Sequence, residues 1–454
     1  MGLLTLLVGA LHALVTVVNF RAGFLLFIFA YATYPRVFAF GLGAAGFALT
    51  AQRLMLVSLA GVFLLRLLYG TRDVRLGLQA LYEEKALLFA IGGLLVARLA
   101  GNLLTGRIDV AVMATMVDET LYTLFVALLV LTCITNRKHL YMLLTVIVLS
   151  MFPNELAAII ETLIQRSIFP ASLTVDFETA RDAEALVTGS ARFGFYRVMG
   201  FFDSSLKLMA VAIAIFPLAV HLAQKADTEL TRRLMAFIAF MIPVCIVLTG
   251  SRTGLMILLL MLAFYGYHYV RRRFGPLDAF LLMSVMVLIG TVALFLLFDD
   301  IVNNFLFGKV GGKSSASRVL QYLFSWPLFL DSPWLGYGYA RNIVDVIEIN
   351  RIDGYYLRIA LEGGLVALAC LAWVYWRSIR TLTILHKLGD PGAAQALKLA
   401  LYMLAIMMLA LNMGTGSFYV YLYAAITVAM KRIVLAEHAA GIAVPAGRTA
   451  NATG

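Results

Sequence analysis

DDIVNNFLFGKVGGKSSASRVLQYLFSWPLFLDSPWLGYGYARNIVDVIEINRIDGYYLRIALEGGL, residues Asp299–Leu365, is a polar island set between the apolar runs Leu277–Phe298 and Tyr355–Trp376. A segment this long without an obvious regular element is usually either functional or disordered. Its Trp, Phe and Leu content argues against disorder. We read it as a loop that carries chemistry, with the remainder of the chain holding it at a membrane.

Outward from that stretch the chain is a membrane sequence. Of its 454 residues, 62% are hydrophobic and 13% charged, against about 45–50% and about 25% in soluble domains. Apolar runs of about 17–25 residues recur along the chain, the length a bilayer-crossing helix needs. The alternation of a transmembrane barrel is absent. The prediction is an all-α polytopic membrane protein of about 12–14 transmembrane helices. The first run, Leu3–Asn19, lacks the basic start of a cleaved signal and is read as a retained span. Two early runs, Phe24–Tyr34 and Val37–Thr50, are short and flank Pro35. Residues 1–437 are expected to form one transmembrane domain, with external loops near 166–204 and 299–354. Residues 438–454 read as a disordered cytoplasmic tail.

The net charge is +11. Nucleic-acid binding would need a basic patch on a soluble surface, and here Lys and Arg lie between apolar runs, so no nucleic acid is expected as a partner. Arg72 and Arg75, Arg137 and Lys138, Lys225 with Arg232 and Arg233, Arg271–Arg273, Arg377 with Arg380 and Lys387, and Lys431 with Arg432 occupy every second connection. By the positive-inside rule these loops and both termini are cytoplasmic. The connections at Arg107, at 166–204, at Gly250–Arg252 and at 299–354 then share the external face.

Several chemistries find no support. Cys133, Cys245 and Cys370 lie in or at the ends of separate apolar runs, without metal spacing or a disulfide framework. Phosphate-binding nucleotide motifs are missing. The six histidines fall in spans or on the cytoplasmic side, which argues against an external zinc site or an external His base.

What the external face does hold is arginine. Arg252 lies in the turn Thr249-Gly250-Ser251-Arg252-Thr253-Gly254. Amides at the start of the next helix favour an anion, Ser251 and Thr253 add donors, and a guanidinium fork suits phosphate oxygens. The other reading of Arg252 is an interfacial side chain snorkelling to headgroups. Arg192 and Arg197 precede Gly200, and Arg318 precedes Trp326 and Pro333-Trp334-Leu335-Gly336-Tyr337-Gly338. Each taken singly reads as a surface ion pair; together on one face they suggest an anion site. Asp353 precedes the span at Tyr355 and is either an N-cap or a general base held ionised by nearby arginines. Glu362 is an intramembrane acid for which an i,i+4 pair with Arg358 is the leading reading. Asp118, Glu119, Arg66 and Arg98 are expected to pair and lock helices. Glu155 and Glu161 either border the site or reach the interface.

In order, Arg197-Val198-Met199-Gly200-Phe201, Thr249-Gly250-Ser251-Arg252-Thr253-Gly254, Arg318…Trp326…Pro333-Trp334-Leu335-Gly336-Tyr337-Gly338 and Asp353-Gly354-Tyr355 with Glu362-Gly363-Gly364-Leu365 resemble the bacterial O-antigen polymerase and O-antigen ligase superfamily. The resemblance covers roughly 192–376. It implies a GT-C-type helical scaffold with a large periplasmic loop, in the bacterial inner membrane. It also implies glycan transfer from an undecaprenyl-pyrophosphate carrier, with no metal and no other cofactor. A flippase and a chain-length regulator are the implied partners, beside the bilayer itself. By position, Arg252 and Arg318 would hold the pyrophosphate, with Ser251, Thr253, Arg197 and Arg192 as further contacts, and Asp353 would be the base. Ligases resemble one another in a His at the re-entry segment, where this chain has Asp353-Gly354-Tyr355. A polymerase of lipid-linked repeats is therefore favoured over a ligase serving a lipid or protein acceptor. A flippase of the same lipid-linked sugars is the third reading, lowered because transporters place their sites near the midplane. Whether the product is an O-antigen of lipopolysaccharide or an exopolysaccharide stays open.

Overall fold

The computed structural model describes residues 2–35, 39–41, 48–106, 108–168, 196–202, 204–278, 280–281, 284–285, 311–339, 352, 354–411 and 414–440. The helices in chain order are α1 (Gly2–Val18), α2 (Phe20–Thr33), α3 (Ala51–Leu68), α4 (Arg72–Glu83), α5 (Lys85–Leu104), α6 (Val110–Thr120), α7 (Val126–Cys133), α8 (Arg137–Leu149), α9 (Phe152–Ile164), α10 (Ser205–Lys225), α11 (Glu229–Leu248), α12 (Arg252–Arg273), α13 (Gly311–Asp331), α14 (Tyr355–Leu388), α15 (Pro391–Ala410) and α16 (Gly414–Ala439). A π-helical stretch, Leu121–Phe125, joins α6 to α7. Among the described residues ten helical stretches are long and apolar enough to cross a membrane, and α1 and α2 are shorter apolar helices. The protein is an all-α polytopic membrane protein. The expected span at Leu277–Phe298 falls largely outside the described residues.

The burial pattern fits a bilayer. On α1, Thr5, His12 and Thr16 are buried while Leu7, Leu11, Leu14 and Val18 are exposed. His12 bonds Ser58 and the Gly23 carbonyl, so the polar stripe is satisfied inside the bundle and the leucines face outward. That is how a spanning helix places polar groups. α10 and α16 are enclosed along most of their length and form the centre, with α15 and α14 packed around them.

The bundle has two ends. Arg137 bonds Glu437, Lys225 bonds Asp390, and Arg377 and Lys431 bond Glu84, so the predicted cytoplasmic connections meet at one end. We call it the basic end. The segments at 31–34, 101–104, 199–202, 249–252, 333–338 and 418–419 gather at the other, the loop end, through the contacts described below.

Two expectations for the N-terminal region change. Ala39–Gly41 and Ala48–Thr50 form an antiparallel hairpin, with Ala39 opposite Thr50, where a third short span was expected. Residues 37–50 are too few for a helix that needs about 20 to cross. Losing one crossing reverses the side of everything before it. Thr5 accordingly lies beside Tyr34 at the loop end, and Arg21, at the junction of α1 and α2, donates to the Cys133 carbonyl at the basic end. The described ends of α1 and α16 therefore lie at opposite ends of the bundle, not on one side. The loop at Arg72–Arg75 also proves helical. α4 buries Val74, Gly77 and Ala80 and exposes its charged residues, as a helix lying along an interface does.

Candidate active site

The loop end is built from two interlocked pieces. In the first, the segment Tyr196–Phe202 is strapped across three helix ends. Its amides find acceptors in turn. Tyr196 N–H donates to Gln165 Oε1 at 3.2 Å, and Val198 N–H to the Leu248 carbonyl at 3.3 Å. Met199 and Gly200 N–H both donate to Glu161 Oε2, at 2.7 and 2.9 Å, and Phe201 N–H donates to Asn154 Oδ1 at 3.1 Å. Asn154 and Glu161 are fully buried on α9. A buried carboxylate is tolerated when amides satisfy its oxygens, and Glu161 has that arrangement. Gly200 has φ +58°, and a Cβ there would sit 2.9 Å from Asn154 Oδ1, so the fourth position of Arg197-x-x-Gly200 admits little but glycine.

The strap delivers Arg197 to the turn between α11 and α12. Its Nε donates to the Thr249 carbonyl at 2.9 Å. Its aliphatic stem covers Gly250, where φ is +60° and a Cβ would lie 3.3 Å from Arg197 Cγ. Ser251 then N-caps α12, its Oγ accepting from Gly254 N–H at 3.2 Å. Arg252 and Thr253 form the first turn of α12 and are half-buried. Two motifs some fifty residues apart in sequence thus share one turn, with Arg197 on one side and Arg252 at the helix start.

The second piece is a broken helix. α14 is interrupted at Gly364, with φ +64° and ψ −160°. The break frees carbonyls and amides at membrane depth, which must be satisfied by protein. Residues Pro333–Gly338 do this with four backbone bonds. Tyr337 and Gly338 N–H donate to the Leu361 and Glu362 carbonyls at 2.8 and 2.9 Å, and Leu365 and Val366 N–H donate to the Pro333 and Trp334 carbonyls at 2.7 and 3.3 Å. Such close backbone approach leaves no room for a Cβ at Gly336 or Gly364. Asn102 on α5 accepts from Tyr339 N–H at 2.6 Å and closes the edge. The Gly-Tyr-Gly motif is therefore a splint for the re-entry helix.

Buried charge fixes the splint. Arg98 on α5, 2% exposed, pairs with Glu119 on α6 and with Glu362 on α14, and its guanidinium lies 4.1 Å from the Tyr339 ring centroid. Glu362 also receives Arg358 Nε at 2.6 Å, the expected i,i+4 pair. Arg53 pairs with Asp118 at 2.9 Å. The expected locking pairs are thus formed by Arg98, Glu119 and Asp118; Arg66 is elsewhere, at the basic end.

Of the site residues expected from sequence, Arg197, Ser251, Arg252 and Thr253 come together. Arg192 and Asp353 lie outside the described residues, and for Arg318 only its place in the helix α13 is described. The Asp353 neighbour Gly354 approaches Tyr322 of α13, whose hydroxyl donates to the Leu409 carbonyl at 3.3 Å. Glu161 supports the strap, in keeping with the reading in which it borders the site, while Asn154, Asn102 and Arg98 support the two pieces without having been assigned to the site in advance. The one available signal was their polarity within apolar runs. All six histidines are accounted for away from these pieces: His12 inside the bundle, His139, His221, His386 and His438 at basic-end contacts, and His268 on α12 beside Phe264.

No curated protein matches the chain. Residues 234–372 match the family model described as O-antigen ligase. They begin on α11, before the Arg252 turn, and end on α14, beyond its break, so the matched stretch includes the Arg252 turn and the splinted helix. Over these residues the chain is similar to the O-antigen ligase and polymerase superfamily.

Proposed function

We propose that the protein is a metal-independent polysaccharide polymerase of the bacterial inner membrane. It would extend undecaprenyl-pyrophosphate-linked oligosaccharide repeats at the periplasmic face. The observation that carries this reading is the interlock of Arg197 with the Thr249–Arg252 turn, which sets two arginines and a helix start at the loop end. In the transfer, an acceptor sugar hydroxyl attacks C1 of the carrier-linked sugar. The bond from C1 to the pyrophosphate oxygen breaks, and the lipid pyrophosphate leaves with the electron pair. The hydroxyl proton passes to Asp353, which returns it to solvent. Arg252 and Arg318 neutralise the charge that grows on the leaving group, with Arg197, Arg192, Ser251 and Thr253 around it. Fixed cationic donors aimed at developing charge are commonly the largest catalytic contribution.

Transfer of a finished glycan to a lipid or protein acceptor is the second reading, favoured by the description of the matched family as a ligase. Against it stand the Asp353-Gly354-Tyr355 sequence where ligases resemble one another in a His, and the position of the six histidines away from the loop-end pieces; both support the proposal of Asp353 as the base. Deleting the gene and examining the carrier-linked glycan separates the two. Single repeats on the carrier support the polymerase; full-length chains stranded on the carrier overturn it in favour of the ligase. Unpolymerised repeats held on the inner leaflet overturn both in favour of a flippase. Arg252→Ala, expressed and folded, is expected to lose about 100-fold or more in transfer. Polymer unchanged in amount and length would refute the anion site.

A further inference from the structure

At the basic end, far from the proposed catalytic pieces, a cavity of about 130 Å³ lies between the α1–α2 junction, the end of α3, the start of α4 and the end of α7. Its floor is Phe20, Thr132 and Cys133, all buried. Its wall carries Arg21, Arg66 and Asp73. Asn19 caps α2 through Ala22 N–H at 3.1 Å and fixes the junction.

The two arginines are held differently. Arg21 is anchored: Nε donates to the Cys133 carbonyl at 3.0 Å and a terminal nitrogen lies 2.7 Å from His139 Nε2. Arg66 rests on the Phe20 ring, 4.9 Å from its centroid, and forms no ion pair among the described residues. Asp73 is the single acid on the wall and is bonded to neither arginine among the described residues. Two guanidinium groups against one carboxylate leave the cavity cationic. Immediately before Arg66 on α3, Leu64 and Leu65 are more than half exposed, part of the outward apolar side of that helix.

We infer that this cavity binds the phosphate of an anionic lipid headgroup, with the acyl chains lying along the outward side of α3 at Leu64 and Leu65. Three features converge. The volume suits a phosphate group, the paired guanidinium groups match phosphate oxygens in geometry, and the site opens at the bilayer boundary next to the interfacial helix α4. Basic pockets between spanning helices near the headgroup layer are known to take anionic lipids in this way. A water-filled polar cleft would use the same volume, but two guanidinium groups against the single Asp73 carboxylate favour an anion over water alone.

The test uses the full chain in nanodiscs of phosphatidylcholine carrying increasing phosphatidylglycerol. Retained lipid is counted by native mass spectrometry, and the unfolding midpoint is followed in parallel. The wild type should retain phosphatidylglycerol over phosphatidylcholine and rise in midpoint with its content. Arg66→Gln, which breaks no ion pair, should weaken that retention about fivefold, the effect of one basic residue near a headgroup. Asp73→Asn should strengthen it. Equal retention of both lipids by the wild type, or retention indifferent to Arg66→Gln in a folded variant, overturns the inference. Inorganic phosphate added to pure phosphatidylcholine discs distinguishes the source. An Arg66-dependent rise in midpoint there, without lipid selectivity, assigns the cavity to soluble phosphate and overturns the headgroup.

Discussion

The two ends of this bundle hold themselves together by different means. At the basic end, side chains pair with side chains: Arg137 with Glu437, Lys225 with Asp390, Arg377 and Lys431 with Glu84. Most of these groups are partly exposed, and each pair joins two helices whose own backbones are complete. At the loop end the chain leaves the helix at membrane depth, and the bonds that matter are made by its backbone. Glu161 and Asn154 receive three amides of the Tyr196–Phe202 strap, and Pro333–Gly338 splints the break in α14. The contrast follows from solvent. Surface pairs are weak because water competes for both partners, whereas an unsatisfied amide inside a bilayer has no alternative partner. The end that does the proposed chemistry is therefore rigid through its backbone.

The buried charges under the splint give the strongest trial of this contrast. Glu362→Ala removes the acid shared by Arg98 and Arg358 and leaves Arg98 with Glu119 alone. Breaking a buried pair costs about 3–5 kcal/mol. Chemical or thermal unfolding in detergent should show a loss on that order, with α14 and the Pro333–Gly338 segment losing hydrogen-exchange protection first. A cost under about 1 kcal/mol, the scale of exposed pairs, would mean the loop end is no different from the basic end.

Asp390 tests the basic end in the same terms. Burial alone would raise its pKa, but hydrogen bonds from Lys225 and Tyr141 outweigh burial and hold it at about 2, below the ordinary 3.8. A depressed folded pKa contributes stability that is complete above the unfolded value and is lost as pH falls from about 4 through about 2. The contribution is of order 1–2 kcal/mol, given that Lys225 is half exposed. Asp390→Asn should lower the unfolding free energy at pH 7 by that amount, with the gap to wild type closing on acidification. Glycan transfer should be unchanged. A transfer defect in a folded Asp390→Asn protein would show that the two ends are coupled.

How far the sequence foretold each end also differs. The basic end was legible, because charge clusters between apolar runs are read by a rule that counts only Lys and Arg. Its one departure, the end of the bundle at which α1 starts, came from treating Val37–Thr50 as a crossing when it carries a hairpin. At the loop end the motifs were legible but not their partners. Arg197-x-x-Gly200 and Thr249-Gly250-Ser251-Arg252 stood out as polar punctuation, yet nothing local tied them together. The ties run through Glu161, Asn154 and the Thr249 carbonyl, and a backbone acceptor leaves no compositional trace. Arg98 was legible as a helix-locking charge, but its Glu362 partner and the docking of the loop motif on Arg98 and Asn102 were not.

Ser251 offers the finest division between holding the fold and holding the ligand. Its Oγ accepts from Gly254 N–H, so it already serves as the N-cap of α12. A hydroxyl has one proton to donate as well as lone pairs to accept, and in the proposed site that proton would go to a pyrophosphate oxygen. Ser251→Ala removes both roles and should cost about 1 kcal/mol in stability, the usual value of a cap, together with a modest loss of transfer. Ser251→Asp separates them. Aspartate caps a helix as well as serine does, so stability should return. Its carboxylate, however, cannot donate and would repel an anion beside Arg252, so transfer should fall below that of Ser251→Ala. Full transfer by Ser251→Asp would mean that no phosphate lies within reach of this turn, and the loop-end arginines would then be splints like the rest.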